Sequence, residues 1–121
     1  MKILVVDDNT SITGMLSKFF ILKGHDCIVA NTGKMGLSLC LKNKFDVVIL
    51  DLAMPRFTGK DFVDSLIKEG KIGKQKIIIL TALPLGSVTL GKGHHGICEV
   101  LQKPCKLDFL LKTIESLSVV A

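Results

Sequence analysis

Five side chains in this 121-residue sequence are of types that handle charged oxygen chemistry, and each stands at the end of an apolar run. Asp7 and Asp8 follow Ile3-Leu4-Val5-Val6, Asp51 follows Val47-Val48-Ile49-Leu50, and Thr81 follows Ile77-Ile78-Ile79-Leu80. Lys103 lies just past the run from Ile97 to Leu101. Carboxylates crowded together repel, so either one takes up a proton or a cation sits between them. Oxygen ligands without His or Cys favour a hard ion, and Mg²⁺ suits because it keeps waters and shares phosphate oxygens. A carboxylate can also attack phosphorus and become an aspartyl phosphate. The cation, the Lys103 ammonium and the Thr81 hydroxyl would then hold the phosphoryl oxygens. Singly, each residue has a plainer role: Asp7-Asp8 as acids at a helix N-terminus, Thr81 in a turn, Lys103 at a solvated strand end. Their joint placement at four strand ends favours the chemical reading.

The elements that must position them follow from periodicity. The unbroken apolar runs suit strands buried on both faces, as in a parallel sheet. Cys27 to Ala30 adds another strand, with Asn31-Thr32-Gly33 as its turn. Asn9 or Thr10 caps a helix whose apolar stripe is Ile12, Met15, Leu16 and Phe19, stopping near Gly24. Leu37, Cys40 and Leu41 give a second helix its stripe, ending near Asn43. Met54-Pro55 breaks regular structure, and Gly59 reads as the turn before a helix carrying Phe62, Val63, Leu66 and Ile67. Gly70 to Gly73 is a loop. The rhythm of the chain asks for a helix over 83–96, although Pro84, Gly86, Gly91, Gly93 and Gly96 weaken it. Leu107, Leu110, Leu111, Ile114 and Leu117 mark a last amphipathic helix. The pattern is (βα)₅, an α/β fold with an open parallel sheet and helices on both faces. In such sheets ligands bind beyond the carboxyl ends of the strands, where the five side chains converge.

Bulk composition excludes other classes. Hydrophobic content of 48% and charged content of 22% describe a globular domain rather than a disordered chain. No apolar stretch is long enough to span a membrane, and the start lacks a signal-peptide core, which points to the cytoplasm. The 4 cysteines, Cys27, Cys40, Cys98 and Cys105, show no CxxC spacing and sit among apolar neighbours, as buried thiols do. The net charge of +5 is scattered apart from Lys68, Lys71, Lys74 and Lys76. Without aromatic residues interleaved there, no nucleic-acid partner is expected, whereas an acidic protein partner or an anionic surface remains open. His94-His95 with Cys98 has no fourth zinc ligand at matching spacing and reads as an exposed loop.

VVDDN at Val5 to Asn9, DLAMPRFTG at Asp51 to Gly59, Thr81-Ala82 and Lys103-Pro104 together resemble the receiver domain of two-component response regulators. The resemblance covers residues 1–121 as a single receiver domain. It implies a flavodoxin-like fold with strand order 2-1-3-4-5, an order that the residues alone do not give. By the same resemblance Asp51 is the phosphoacceptor, and Asp7, Asp8 and Asp51 hold Mg²⁺ with the backbone carbonyl of Ala53. Thr81 is the switch hydroxyl, and Lys103 pairs with the phosphoryl group ahead of a cis proline at Pro104. A histidine kinase or phosphotransfer protein is the implied donor, and the chain catalyses only its own phosphorylation and dephosphorylation. With no effector domain after the last helix, the expected output is protein–protein contact with a downstream target.

The sequence departs from the family in places. Val100 stands where Tyr or Phe usually moves with the switch hydroxyl, and Cys105 where Phe is common. Ala53 and Leu83 occupy positions that tune phosphoryl lifetime, and neither can hydrogen-bond a water. The expected switch is instead an ordering of the glycine-rich segment 84–99. Two alternatives remain at this point: a receiver-like binding module that works without phosphorylation, and a small Mg²⁺-dependent phosphatase of the haloacid-dehalogenase type.

Overall fold

In the computed structural model, residues 1–71, 75–84 and 96–118 are described. The helix expected over 83–96 falls mostly outside them, as do His94, His95, Lys74 and most of the segment assigned to the switch. Along the chain come β1 (Lys2–Val6), α1 (Thr10–Leu22), β2 (Asp26–Ala30), α2 (Gly33–Lys42) and β3 (Val47–Leu50). They are followed by α3 (Gly59–Lys68), β4 (Ile77–Thr81), β5 (Ile97–Gln102) and α4 (Leu107–Ser118). The strands form one parallel sheet in the order β2-β1-β3-β4-β5, the order that the resemblance implies.

Side chains alternate across this sheet, so each apolar run feeds two cores. Leu4, Val6, Val48, Leu50, Ile77 and Ile79 face α2 and α3, packing with Cys40, Phe62, Val63 and Leu66. Ile3, Val5, Val47, Ile49, Ile78 and Leu80 face the other way, onto Leu16 and Phe20 of α1 and Leu110 and Ile114 of α4. Every residue of β3 and β4 is buried. Each such side chain contributes roughly 1.5–3 kcal/mol, so packing at the sheet centre fixes the strands that carry the site.

The helix faces differ from the periodic reading. In α1 the buried residues are Thr13, Leu16 and Phe20, while Met15 is 50% exposed. Ile12, Leu16 and Phe19 pack against the core as expected, and Thr13 takes a core position beside them, its hydroxyl accepting a hydrogen bond from the Asn31 side-chain amide at 2.9 Å. In α2 the buried face is Gly33, Gly36 and Cys40, and Leu41 is exposed. A Cβ on Gly36 would come within 2.7 Å of Val6, so that helix rides close on β1 at this glycine. Ile67 sits at the rim of α3 rather than in its core, at 36% exposure. All four cysteines are free, but only Cys40 is buried; Cys27 and Cys105 lie on partly covered core margins and Cys98 on the half-buried edge strand β5. Lys76, one of the lysines counted in the expected basic cluster, donates from Nζ to the Leu117 carbonyl at 3.0 Å.

Candidate functional site

The strands deliver their end residues to one edge. β1 and β3 are neighbours with Val6 opposite Leu50, so Asp7 and Asp51 emerge side by side. The Asp51 amide donates to the Val6 carbonyl at 3.0 Å and the Asp7 amide to the Ala30 carbonyl at 3.1 Å, which carries the sheet pairing into the site. Thr81 ends β4 opposite Gln102, and the Lys103 amide donates to the Thr81 carbonyl at 2.7 Å. The peptide bond from Lys103 to Pro104 is cis, as the resemblance implies.

From β5 the Lys103 side chain crosses β4 and β3 to reach β1. Its ammonium lies 2.6 Å from Asp7 Oδ2 and 3.7 Å from Asp51 Oδ2. Asp7 and Asp51 are buried, whereas Asp8 is exposed and opens the cluster to water. One oxygen from each of Asp7, Asp8 and Asp51 lies within 4.8 Å of the others. Burial pushes the Asp51 carboxyl above its ordinary value, and the charge of Asp7 adds to that rise. Lys103, the Ala53 amide and the Thr81 hydroxyl pull the other way without cancelling it. The Ala53 amide donates to Asp51 Oδ1 at 3.3 Å. A set of three carboxylates without nitrogen or sulfur suits a hard divalent ion such as Mg²⁺.

The geometry thus brings Asp7, Asp8, Asp51, Thr81 and Lys103 to one edge, with Ala53 in the loop beside them. The family model described as "Response regulator receiver domain" matches residues 3–115 of this sequence. The chain belongs to that family. It is 31% identical over 119 residues to Protein PilH of Pseudomonas aeruginosa, covering 95% of each chain. By contrast, it spans about half of response regulator MprA from Mycobacterium leprae, at 30% identity over 117 residues, covering 97% of this chain and 50% of MprA. Among solved structures, chemotaxis response regulator CheY4 of Vibrio cholerae superposes with a TM-score of 0.84 at 32% identity, covering 96% of this chain and 97% of that one. Response regulator TrrA of Thermotoga maritima, solved in complex with Mg(2+)-BeF, gives a TM-score of 0.81 at 29% identity, with coverage of 96% and 97%. Receiver domains are signalling modules of two-component systems. No helix among the described residues is long and apolar enough to cross a membrane.

Three residues around the site escape the sequence reading. Asn31 reads there only as part of a turn, yet its amide donates to the Asp7 carbonyl at 3.0 Å and braces α1 through Thr13. Its place just past the end of β2, at the same sheet edge, is the signal that could have found it. Asn9 does more than cap α1: its own amide donates to Asp7 Oδ1 at 2.9 Å and fixes that carboxylate. Gly59 is more than a turn residue, since a Cβ there would meet the Asp51 carbonyl oxygen at 2.6 Å. Only glycine lets the start of α3 pass that close to the loop carrying Asp51 and Ala53.

Proposed function

We propose that this chain is a phosphoacceptor that takes a phosphoryl group from a histidine kinase or phosphotransfer protein onto Asp51. One observation carries the reading: a buried carboxylate flanked by two further carboxylates and an ammonium at the carboxyl edge of a parallel sheet. An Asp51 oxygen attacks phosphorus while the P–N bond to the donor imidazole breaks, and its electron pair returns to the imidazole nitrogen, which takes up a proton. The negative charge left on the phosphoryl oxygens needs cations and donors fixed in place beforehand. Lys103 meets that need by shifting its ammonium from Asp7 and Asp51 toward a phosphoryl oxygen, and the Thr81 hydroxyl donates to another. Asp7, Asp8 and Asp51, with the backbone carbonyl of Ala53, are the ligands we assign to Mg²⁺, whose charge when bound neutralises the phosphoryl oxygens. Asn9 and Asn31 position Asp7 for this task.

The chain acts as one receiver domain in the cytoplasm and turns over no separate substrate beyond its own phosphorylation and dephosphorylation. The phosphorylated form signals by contacting a downstream protein. An apolar groove of about 360 Å³, lined by Ile12, Met15, Leu16, Leu107 and Leu110, shares Lys103 with the site and gives a donor protein apolar surface beside the phosphorus. Intact-mass analysis with acetyl phosphate and Mg²⁺ tests the reading. One phosphoryl mass is expected on the wild type, and equal labelling of Asp51→Asn would sink the assignment.

A further inference from the structure

The opposite edge of the sheet carries a second concave site with another chemistry. Where α2 ends and β3 and β4 begin, a cleft of about 590 Å³ is lined by Cys40, Leu41, Lys42, Asn43, Lys44, Lys71 and Gln75. Lys42, Lys44 and Lys71 are exposed and have no ion pair or hydrogen bond from their ammonium groups among the described residues. No carboxylate lines the cleft among the described residues, and the nearby Asp46 accepts from the Lys2 amide at 2.6 Å on β1 instead. The Cys40 thiol, pushed up to about 12 by burial, adds no competing negative charge near neutrality.

The second observation is independent of charge. Gln75 is only 8% exposed, and its Oε1 is buried with no hydrogen-bond partner. Buried acceptors are normally satisfied, so an unpaired one on a residue of the cleft wall points to a missing donor. The other lining amide, Asn43, is exposed to water, and its Nδ2 donates to the Leu39 carbonyl at 3.1 Å. Three free ammonium groups call for a multiply charged anion, and the Gln75 oxygen calls for an O–H or N–H on the same molecule. The cleft is larger than a lone phosphate needs and lies within the usual range for small-ligand sites. Among the described residues no aromatic ring lines it to offer a platform for stacking a nucleotide base.

We propose that this cleft binds a small phosphorylated polyol, with Lys42, Lys44 and Lys71 on the phosphates and Gln75 accepting from a hydroxyl. The site lies at the amino ends of the strands, across the sheet from Asp51, and is independent of phosphorylation.

Fructose 1,6-bisphosphate is a suitable probe, titrated into the full ¹⁵N-labelled chain in EDTA while amide shifts are followed. Saturable shifts are expected at residues 40–44, 71 and 75, with residues 7, 51 and 103 unmoved. Lys42→Ala/Lys44→Ala/Lys71→Ala, all at exposed positions, should weaken binding about tenfold or more. Gln75→Leu, which removes an unsatisfied buried oxygen and should fold, is expected to weaken bisphosphate binding and leave inorganic phosphate binding as in the wild type. The proposal is overturned by an absence of saturable shifts at about 10 mM probe, or by binding that survives the triple lysine variant. It is also overturned if Gln75→Leu binds the bisphosphate like the wild type, which would mean that water fills the place beside Oε1. Tighter binding of ADP than of the bisphosphate would refute the polyol class.

Discussion

The two edges of the sheet are made by the same strands, yet they carry opposite charge and differ in how that charge is paired. At the carboxyl edge Asp7 and Asp51 are buried and share the Lys103 ammonium at 2.6 and 3.7 Å. At the amino edge three exposed lysines stand without ion-pair partners among the described residues, around a glutamine whose Oε1 is unsatisfied. Position explains the difference. Adjacent strands end a few ångströms apart, so their next residues are forced together in a poorly hydrated place where charges couple strongly. The amino edge is reached from helix ends and connecting loops by long side chains in water, where coupling is weak and screened by salt. Charge changes should therefore have large and specific effects at one edge and small effects on the fold at the other.

The largest expected contrast is in phosphoryl labelling. Asp51→Asn should abolish the added mass seen with acetyl phosphate and Mg²⁺, whereas the charge reversal Lys44→Glu should label like the wild type. If Lys44→Glu also fails to label, the two edges are not independent.

Next comes Lys103→Ala, which leaves Asp7 and Asp51 facing each other without their cation. Removing one partner of a fully buried pair costs roughly 3–5 kcal/mol. Lys103 retains 16% exposure of its side chain, so a loss of about 1–3 kcal/mol is expected in EDTA. Added Mg²⁺ should restore much of it, and calorimetry should still detect metal binding. Beryllofluoride should no longer change the spectrum of this variant, since the ammonium that acts on the phosphoryl group is gone. Wild-type spectral changes would remove Lys103 from that role.

A smaller effect is expected at Asp8, the exposed member of the carboxylate cluster. Asp8→Asn keeps the shape and removes one negative ligand, so Mg²⁺ affinity should fall by about tenfold or more, judging by losses seen when even outer-shell partners are removed. Calorimetric titration measures it directly. Unchanged affinity would leave Asp7 and Asp51 to hold the ion without Asp8.

The contrast between the edges also bears on what a sequence discloses. Strands buried on both faces are legible as unbroken runs such as Val47 to Leu50, and a residue that ends such a run has a predictable place. That is why Asp7, Asp8, Asp51, Thr81 and Lys103 can be set on one edge before any coordinates exist. The order of the strands is not written in the runs, because each run is apolar on both sides and would fit between other neighbours equally well. Helix faces are misread where the core position is filled by Thr13 or Gly36, residues that a count of apolar side chains passes over. Asn31 is overlooked for a similar reason, since its work is a pair of side-chain hydrogen bonds and leaves no periodic trace. At the amino edge Lys42, Lys44, Lys71 and Gln75 come from separate segments, and only the fold puts the end of α2 and the segments leading into β3 and β4 around one cleft.

The smallest expected effect is a pH dependence of stability, and it is expected at one edge only. Burial and the Asp7 charge raise the Asp51 carboxyl above its ordinary value of 3.8. The folded chain therefore holds this proton more tightly than the unfolded chain does, and ionised Asp51 opposes folding. Its penalty is absent below the ordinary value, where both states are protonated. It grows as pH rises from that value through the raised one and is complete above. Asn carries no such charge, so Asp51→Asn should melt above the wild type near neutrality in EDTA, with the gap closing as pH falls to about 4. Mg²⁺ should narrow the gap from the other direction, because a cation among the carboxylates favours their ionised forms. Lys42→Ala at the amino edge removes no carboxylate, and its melting temperature should track the wild type over the same range. A constant offset between Asp51→Asn and the wild type at every pH would mean that the gain comes from packing of the amide. A pH-dependent gap in Lys42→Ala as well would mean that the charges at the two edges feel each other across the sheet.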